Sequence, residues 1–260
     1  MSAPLLRVNL SVCYRGKGAV LSGCEFEVQP GECFGLAGPS GSGKSTCALA
    51  ILRLLDPDRA SLTGELFLDG TDLLTLPEKE MRAIRGRQIA LIPQSPLESL
   101  NPVLRIGDHM KEAWQVHRPE RFVDWRAESL RAFSDVSLPD GEQLLRRYPR
   151  ELSVGMAQRV LIAMAVLHRP KLLIADEATS ALDVITQSAV LDLLRRLHRD
   201  LRMSILFITH DLLAAASLCQ TLAVLHEGRI VESGPVRNIF ESPQHTYTRS
   251  LISSLPQPAW

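Results

Sequence analysis

The sequence predicts an α/β fold with a largely parallel sheet and one helical insertion. Short apolar runs alternate with helical patterns along the chain, which is typical of a parallel sheet covered by helices. Strand patterns stop between about residues 95 and 168, where helical patterns continue. The composition, 45% hydrophobic and 22% charged over 260 residues, is ordinary for a globular protein that can bury a sizeable core.

Six strands are predicted from short runs rich in aliphatic residues. They are Cys33–Ala37, Glu65–Leu68, Gln88–Ile92, Lys171–Ala175, Ser204–Thr209 and Thr221–Leu225. Helical periodicity predicts a helix over Leu182–Leu201, in which Val190, Leu194 and Leu197 share one face. Further helical patterns surround Ile106–Val116 and Phe122–Phe133, and one short helix is expected after Phe240.

Charge, hydropathy and cysteine usage exclude several classes of protein. The formal net charge is zero, which gives no electrostatic argument for nucleic acid as a partner. The longest apolar runs, such as Leu161–Leu167, are far shorter than the roughly 20 residues that span a bilayer. The N-terminal residues show no signal-peptide pattern. Five scattered cysteines are expected to be reduced, buried thiols rather than a disulfide framework or a zinc site.

A phosphate-binding loop is predicted directly after the strand Cys33–Ala37. Its sequence, GPSGSGKST, satisfies the pattern G-x-x-x-x-G-K-[ST] and opens the apolar helix STCALAILRLL. The glycines let backbone N–H groups surround a polyphosphate, and the helix N-terminus adds its positive end. A glycine-rich turn that only caps a helix would not explain the lysine and serine at this spacing. The predicted nucleotide-binding residues are Gly38, Pro39, Ser40, Gly41, Ser42, Gly43, Lys44, Ser45 and Thr46.

Within this loop, Lys44 is expected to reach the β- and γ-phosphates and Ser45 to ligate Mg²⁺. The strand KLLIADE ends in two carboxylates, Asp176 and Glu177. Asp176 suits a partner of Mg²⁺, and Glu177 could polarise an attacking water. The alternative is that these acids only cap the following helix, which the sequence starts near Ser180–Asp183.

Three single residues complete the predicted site. Gln94 follows a strand and could bridge Mg²⁺ and the attacking water. His210 also follows a strand, where its imidazole could contact the γ-phosphate, although a lone histidine there can equally be a surface residue. Tyr14 could stack on adenine, or it could be ordinary packing near an N-terminal strand.

These motifs, in this order, resemble the ATP-binding subunits of ABC transporters over essentially the whole chain. The resemblance rests on Tyr14 as an A-loop, Walker A at 38–46, a Q-loop at Gln94, the signature LSVGMAQR at 152–159, Walker B at 172–177, a D-loop at 180–183 and the switch residue His210. The segments QSPLESLNPVLRIG and SPQHTYTRSLISSLP are similar to the peptide and nickel import branch. The tail is shorter than in many peptide-importing members and lacks their cysteine cluster.

The resemblance implies a P-loop ATPase core with a small antiparallel β subdomain and a helical subdomain. We expect the core in residues 1–94 and 169–240, the helical subdomain in 95–168, and a C-terminal tail in 241–260. It implies ATP and Mg²⁺ as ligands, with Ser45, Gln94 and Asp176 on the metal. It implies catalytic roles for Glu177, His210 and Gln94, and a D-loop role for Asp183.

In this family two ATP-binding subunits close head to tail, and each signature contacts the ATP of the other subunit. Ser153, Gly155 and Gln158 are the residues expected to do so. Val154 replaces the first glycine of the usual signature, and Ala178 stands where proline is common after the Walker B glutamate. Valine tolerates positive φ poorly, so the signature is expected to work only if this position needs no such φ.

The leading hypothesis is therefore an ATPase that energises import of nickel, another chelated metal or short peptides. The implied partners are a second ATP-binding subunit, homologous or identical, two transmembrane permease subunits and, indirectly, an external substrate-binding protein. The implied location is peripheral, on the cytoplasmic face of the inner or plasma membrane. Two alternatives are a non-transport ABC ATPase and the low-activity half of a heterodimer.

Overall fold

The computed structural model describes residues 3–117, 124–180 and 182–255. The chain divides into two compact units, one built from the residues up to Leu76 and from Leu206 onward, the other from Pro77–Ile205. In chain order the elements are β1 Leu6–Tyr14, β2 Gly18–Val28, β3 Cys33–Ala37, α1 Lys44–Ile51, β4 Ala60–Leu68, β5 Thr71–Asp72, α2 Glu78–Ile84, β6 Ile89–Ile92, α3 Ile106–Gln115, α4 Trp125–Asp135, α5 Gly141–Leu144, a 3-10 turn Pro149–Glu151, α6 Val154–Val166, β7 Leu172–Asp176, α7 Val184–Leu201, β8 Ser204–Thr209, α8 Leu212–Leu218, β9 Thr221–His226, β10 Arg229–Pro235, α9 Val236–Glu241 and α10 Thr246–Ser253.

The first unit contains a small antiparallel sheet with the strand order β2-β1-β4-β5. Side chains of β1 and β2 alternate between buried and exposed, so that Cys24, Phe26 and Val28 face the core while Glu25 and Glu27 face outward. This alternation is what a strand with one buried face requires.

The first unit also contains the strand that leads into the phosphate loop. All five residues of β3 are buried, and β3 pairs in parallel with β9, which pairs antiparallel with β10. On its other side β3 neighbours β8, most of which belongs to this unit. Burial on both faces explains why β3 and β8 read as continuous apolar runs.

The second unit combines the parallel pair β6 and β7 with the helical segment. The pairing runs in register from Ile89 opposite Leu172 to Ile92 opposite Ala175. Helix α6 packs on β6, α3 and α4. No strand lies between residues 95 and 168 in the part of this segment that the structure describes, as the sequence predicts.

The predicted fold class is confirmed, because parallel strand pairs, a small antiparallel sheet and a helical segment are all present. The observed units do not coincide with the expected domain boundaries. The second unit begins at Pro77 and includes β6, β7 and α7 together with the helical segment.

The predicted length of the helix after the phosphate loop is wrong. The apolar pattern continues to Leu55, but α1 ends at Ile51. Arg53 takes a left-handed conformation with φ 51°, and its guanidinium donates to the carbonyl oxygens of Leu73 and Leu76 at 3.0 and 2.6 Å. The N–H groups of Leu54 and Arg53 donate to the carbonyl oxygens of Leu49 and Ala50 at 2.8 and 3.0 Å, so a Schellman motif closes the helix before its apolar pattern ends.

Strands β1, β2 and β10 were not among the predicted strands. The helix pattern at Phe122–Phe133 is observed as α4 from Trp125, and its start at Phe122 lies outside the described residues.

All five cysteines are free thiols, and all except Cys13 are buried. Within the described residues, no helix combines the length and apolar character needed to cross a membrane.

Strand β8 carries Phe207, which is completely buried and lies three residues before His210. Phe207→Ala should lower the free energy of unfolding by about 3–5 kcal/mol, because it removes apolar contacts and leaves a cavity. Leu213→Ala, at a half-exposed position on α8, is the matched control and should cost much less. Urea denaturation followed by circular dichroism measures both. Equal losses for the two variants would contradict the placement of β8 in the core.

Candidate functional site

The phosphate loop has two positions that only glycine can occupy. A Cβ atom on Gly38 would lie 2.2 Å from the carbonyl oxygen of Leu225. Gly43 has φ 105°, and a Cβ there would lie 2.7 Å from Cδ2 of Leu21. Because any side chain would clash at these positions, the loop backbone keeps a fixed path from β3 into α1.

The polar groups of this loop fit a polyphosphate. The ammonium group of Lys44 is buried, with 4% of the residue exposed, and donates to the carbonyl oxygens of Gly38 and Pro39, each at 2.9 Å. The hydroxyl of Ser42 is also buried and has no hydrogen-bond partner within the described residues. No acidic residue stands in the first turn of α1, so its positive end is not neutralised from within that turn.

Tyr14 and the phosphate loop share a cavity of about 520 Å³ in the first unit. Tyr14 lines it at the end of β1, and Thr46 lines it from α1. Arg15, Lys17 and Asp58 also line it, and sequence patterns gave no signal for them. Tyr14 is partly exposed there, so its ring is accessible from the cavity.

Gln94 and Glu177 meet in the second unit. The side-chain amide of Gln94 donates to Oε2 of Glu177 at 2.9 Å. Glu177 is buried, with 9% exposed, and follows directly on β7, whose last residue, Asp176, is 8% exposed. Two predicted residues that are distant in sequence are thus brought into direct contact.

Glu177 adopts a conformation that is rare outside glycine. Its φ is 47°, in the left-handed region, which costs on the order of 1 kcal/mol for a residue with a side chain. Its carbonyl oxygen accepts hydrogen bonds from the backbone N–H and the hydroxyl of Ser180, at 3.1 and 3.0 Å. These bonds stabilise the backbone bend at Glu177.

The alternative that Asp176 and Glu177 only cap the next helix is wrong. Asp183 is the N-cap of α7, and its Oδ1 accepts from the N–H groups of Ile185 and Thr186 at 3.1 and 3.0 Å. The hydroxyl of Thr186 donates to Oδ2 at 2.7 Å. Hydrogen bonds from Thr186 lower the pKa of Asp183 below its usual value. Asp183, the D-loop aspartate, is therefore an ionised helix cap at neutral pH. Ala181 of the same loop lies outside the described residues.

His210 lies in the first unit, directly after β8, and is exposed. The capping role at this strand end belongs to Asp211, whose carboxylate accepts from the N–H groups of Leu213 and Ala214 at 2.9 and 3.0 Å. The local fold therefore assigns helix capping to the neighbour of His210 and not to the histidine itself.

The signature segment places Ser153 at the start of a helix. Ser153 is the N-cap of α6, and its Oγ accepts from the N–H of Met156 at 3.2 Å. Val154 is the first helical residue, is partly exposed and has no positive φ. The backbone therefore does not need glycine at the position that valine occupies.

A side chain at Gly155 would instead press against a neighbouring helix. A Cβ on Gly155 would lie 3.0 Å from Cγ2 of Thr186, on the helix that Asp183 caps. The signature and the D-loop are thus neighbours within the second unit. Thr186 joins them, and its role was not predicted from the sequence.

Gln158 differs from the other predicted signature residues, because only 1% of it is exposed. It lies in the interior of α6, and its side-chain nitrogen has no hydrogen-bond partner within the described residues. Ser153 and Gly155 lie at the accessible start of the helix, so a ligand supplied by another chain would meet them first.

Comparison with protein families identifies two matching models. Residues 21–180 match the family described as ABC transporter. Residues 231–259 match the family described as the C-terminal region of oligopeptide and dipeptide transporters. The first match contains the phosphate loop, Gln94, the signature and Glu177, and the second contains α9 and α10.

Curated relatives match nearly the whole chain. YejF of Agrobacterium fabrum, named a peptidoglycan transport ATP-binding protein, is 44% identical over 98% of this chain, which spans 47% of that relative. The oligopeptide transport ATP-binding protein OppD of Escherichia coli is 39% identical over 97% of this chain, which spans 74% of OppD. The chain therefore spans about half of the first relative and most of the second.

Solved structures of the same kind of cassette share the fold. A dimeric bacterial ABC transporter cassette superposes with a TM-score of 0.77 at 26% identity, and the match covers 89% of this chain and 99% of the other. The same cassette in a post-hydrolysis state, bound to ADP and phosphate, gives the same values.

The geometry of the signature separates the roles of Val154 and Gly155. Val154→Gly should leave ATP hydrolysis within about twofold of the wild type, because the φ of Val154 needs no glycine. Gly155→Asp should abolish hydrolysis by placing a carboxylate at the start of the helix. Steady-state phosphate release from the assembled complex measures both.

A second pair of variants tests the packing of Gly155 on Thr186. Gly155→Ala should lower hydrolysis, and adding Thr186→Ser should restore part of it, since serine keeps the hydroxyl bonded to Asp183 but removes Cγ2. Thr186→Ser alone is the control. If the Gly155→Asp variant of the preceding test hydrolyses ATP at the normal rate, the signature segment at 152–159 does not act on a phosphate.

Proposed function

Because this chain belongs to the ABC transporter family of ATPases, we propose that it energises the import of peptides by binding and hydrolysing ATP. The observation that carries the choice of peptide is the match of residues 231–259 to the oligopeptide and dipeptide transporter C-terminal region. The name of OppD, an oligopeptide transport protein, points the same way. Nothing comparable supports nickel or another chelated metal.

In this proposal the first unit holds the nucleotide. The N–H groups of Gly38–Thr46 and the ammonium of Lys44 bind the phosphates, and Tyr14 stacks on the base. Lys44 exchanges the carbonyl oxygens of its own loop for phosphate oxygens, which are stronger acceptors because they are charged. The orphaned Ser42 hydroxyl gains a partner in the same way.

Side chains that follow predicted strands supply the groups for hydrolysis. Glu177 accepts a proton from the attacking water, and the Gln94 amide orients that carboxylate through its 2.9 Å hydrogen bond. His210 contacts the γ-phosphate. Ser45, Asp176 and Gln94 carry oxygen atoms of the type that Mg²⁺ prefers. When bound, Mg²⁺ neutralises phosphate charge.

A second ATP-binding subunit, identical or homologous, completes the site. Ser153 and Gly155 of one subunit contact the ATP that the other subunit holds, and Asp183 fixes the start of α7 beside them. The dimeric state of the related cassette supports this arrangement. Gln158 serves by supporting α6 from within, since it is buried.

The remaining proposed partners are the proteins that peptide import through a membrane requires. Two transmembrane permease subunits carry the pathway, and an external binding protein delivers the peptide to them. The chain then acts peripherally on the cytoplasmic face of the membrane. A non-transport ABC ATPase would hydrolyse ATP without permease subunits, and a low-activity half would bind ATP but barely hydrolyse it, so both are outcomes of the tests below.

Hydrolysis tests the role of Glu177. Glu177→Gln should keep ATP affinity while lowering turnover by on the order of a hundredfold or more, because the amide cannot accept the proton. Glu227→Gln is a matched control, since Glu227 is exposed and has a similar left-handed φ of 46°. Calorimetry measures ATP binding, and phosphate release by the assembled complex measures turnover. Near wild-type turnover would remove Glu177 from this role, and low turnover in the wild type would favour a low-activity half.

Uptake tests the cargo. Membrane vesicles that contain the neighbouring permease subunits and this chain should accumulate a labelled oligopeptide when ATP and the binding protein are supplied. Vesicles with Glu177→Gln should lose that uptake, and those with Glu227→Gln should keep it. Uptake of ⁶³Ni²⁺ without peptide uptake would contradict the peptide assignment. Full ATP hydrolysis with neither uptake would favour a non-transport ATPase.

A further inference from the structure

The second unit contains a cavity of about 340 Å³ that none of the predicted nucleotide or signature residues lines. It lies between the end of α6, the helices α3 and α4, and the turn that precedes β6. Its wall includes Arg87, Trp114, Glu128, Arg131, His168 and Arg169.

The three arginines of this cavity differ in how their charges are balanced. Arg131 donates to Oε2 of Glu128 at 2.8 Å and to Oδ2 of Asp135 at 2.9 Å, so its charge is more than balanced by two carboxylates. Arg87 and Arg169 form no ion pair with any residue that the structure describes. Two exposed guanidinium groups, without an ion-pair partner among the described residues, therefore line one cavity, where their repulsion favours an anion between them.

Backbone geometry fixes the positions of these two arginines. Arg169 has a left-handed φ of 50° two residues after the C-cap of α6, and its N–H donates to the carbonyl of Val166 at 2.9 Å. Arg87 follows Gly86, whose φ is 77° and where a Cβ would lie 2.8 Å from Nε2 of His117. The backbone of both arginines thus lies in tight turns, while their side chains are exposed.

The rest of the wall is aromatic and rigid. Trp114 and His168 stack with ring centroids 4.9 Å apart and an angle of 13°. His168 shares a hydrogen bond of 3.0 Å with the carbonyl of Ala113, and the ring of His117 meets its edge at 5.0 Å. Burial, with the charges of His168 and Arg87, lowers the pKa of His117. His117 is therefore neutral near neutral pH, and the arginines supply the positive charge.

We propose that this cavity is a second ligand site that binds a phosphate-bearing anion. Planar guanidinium groups present paired N–H donors that match phosphate oxygens, which is why arginine is favoured in such sites. The volume exceeds that of one phosphate ion and leaves room for a small organic group against the Trp114 wall. The source of the phosphate is either a small phosphomonoester or free phosphate in solution, or the headgroup of an anionic lipid.

The fluorescence of Trp114 provides the readout. The chain has 3 tryptophans, so Trp125→Phe and Trp260→Phe leave Trp114 as the sole indole. Lys44→Ala in the same full-length chain removes phosphate binding at the nucleotide loop. Inorganic phosphate and glycerol 3-phosphate should each change the fluorescence saturably, whereas chloride at equal ionic strength should not.

The arginine variants decide whether the cavity is responsible. Arg87→Gln and Arg169→Gln should each weaken binding about tenfold, because each removes charged hydrogen bonds. Arg147→Gln, an exposed arginine of the same unit away from the cavity, is the matched control and should bind as the parent does. Circular dichroism confirms that the variants fold.

Vesicles of phosphatidylglycerol, with phosphatidylcholine vesicles as control, distinguish the two sources. Binding of the soluble phosphates, lost in the arginine variants, supports the site with a soluble ligand. Binding to phosphatidylglycerol alone, with the same loss, supports a lipid headgroup. No saturable signal with either, or equal binding by Arg87→Gln and Arg169→Gln, overturns the proposal.

Discussion

The buried ammonium group of Lys44 is the constraint on which the site depends. A cation with 4% of its residue exposed is stable only where acceptors surround it, and carbonyl oxygens of Gly38 and Pro39 provide two at 2.9 Å. Those carbonyls can reach it only because the loop returns on itself, and Gly38 and Gly43 make that return possible by avoiding clashes with Leu225 and Leu21. Strand β3, the phosphate loop and helix α1 therefore form a single anion-binding site.

In the second unit, a left-handed backbone bend at Glu177 follows strand β7. Continuing β7 straight would direct the residue after Asp176 along the sheet, but Glu177 bends into the left-handed region and Ser180 stabilises the bend. The Gln94 amide then fixes the carboxylate. Seven other described non-glycine residues, Glu227 among them, share this left-handed conformation, so the contact with Gln94 and not the backbone conformation distinguishes Glu177.

Sequence patterns predicted most elements that carry the site and missed others for identifiable reasons. β3 and β8 match their predicted bounds because doubly buried strands read as plain apolar runs. β1 and β2 carry a weaker signal, alternation of buried and exposed residues, which could have revealed them. The end of α1 carries no sequence signal, since the left-handed residue that closes the helix is Arg53 and not the glycine usual at that position. Likewise, motif spacing places Gln158 in the signature but cannot show that its side chain is buried.

The hydroxyl of Ser153 can cap its own helix and still serve a phosphate. Capping uses an oxygen lone pair, which accepts from Met156, whereas a phosphate would accept from the O–H. The N–H of Gly155 lies in the first turn of α6, where backbone donors have no partner inside the helix. Neither group depends on the side chain at 154, which is half-exposed and helical. Valine at 154 therefore changes the surface beside the Ser153 hydroxyl and the Gly155 N–H but leaves both donors in place. This departure from the usual signature is therefore compatible with phosphate binding.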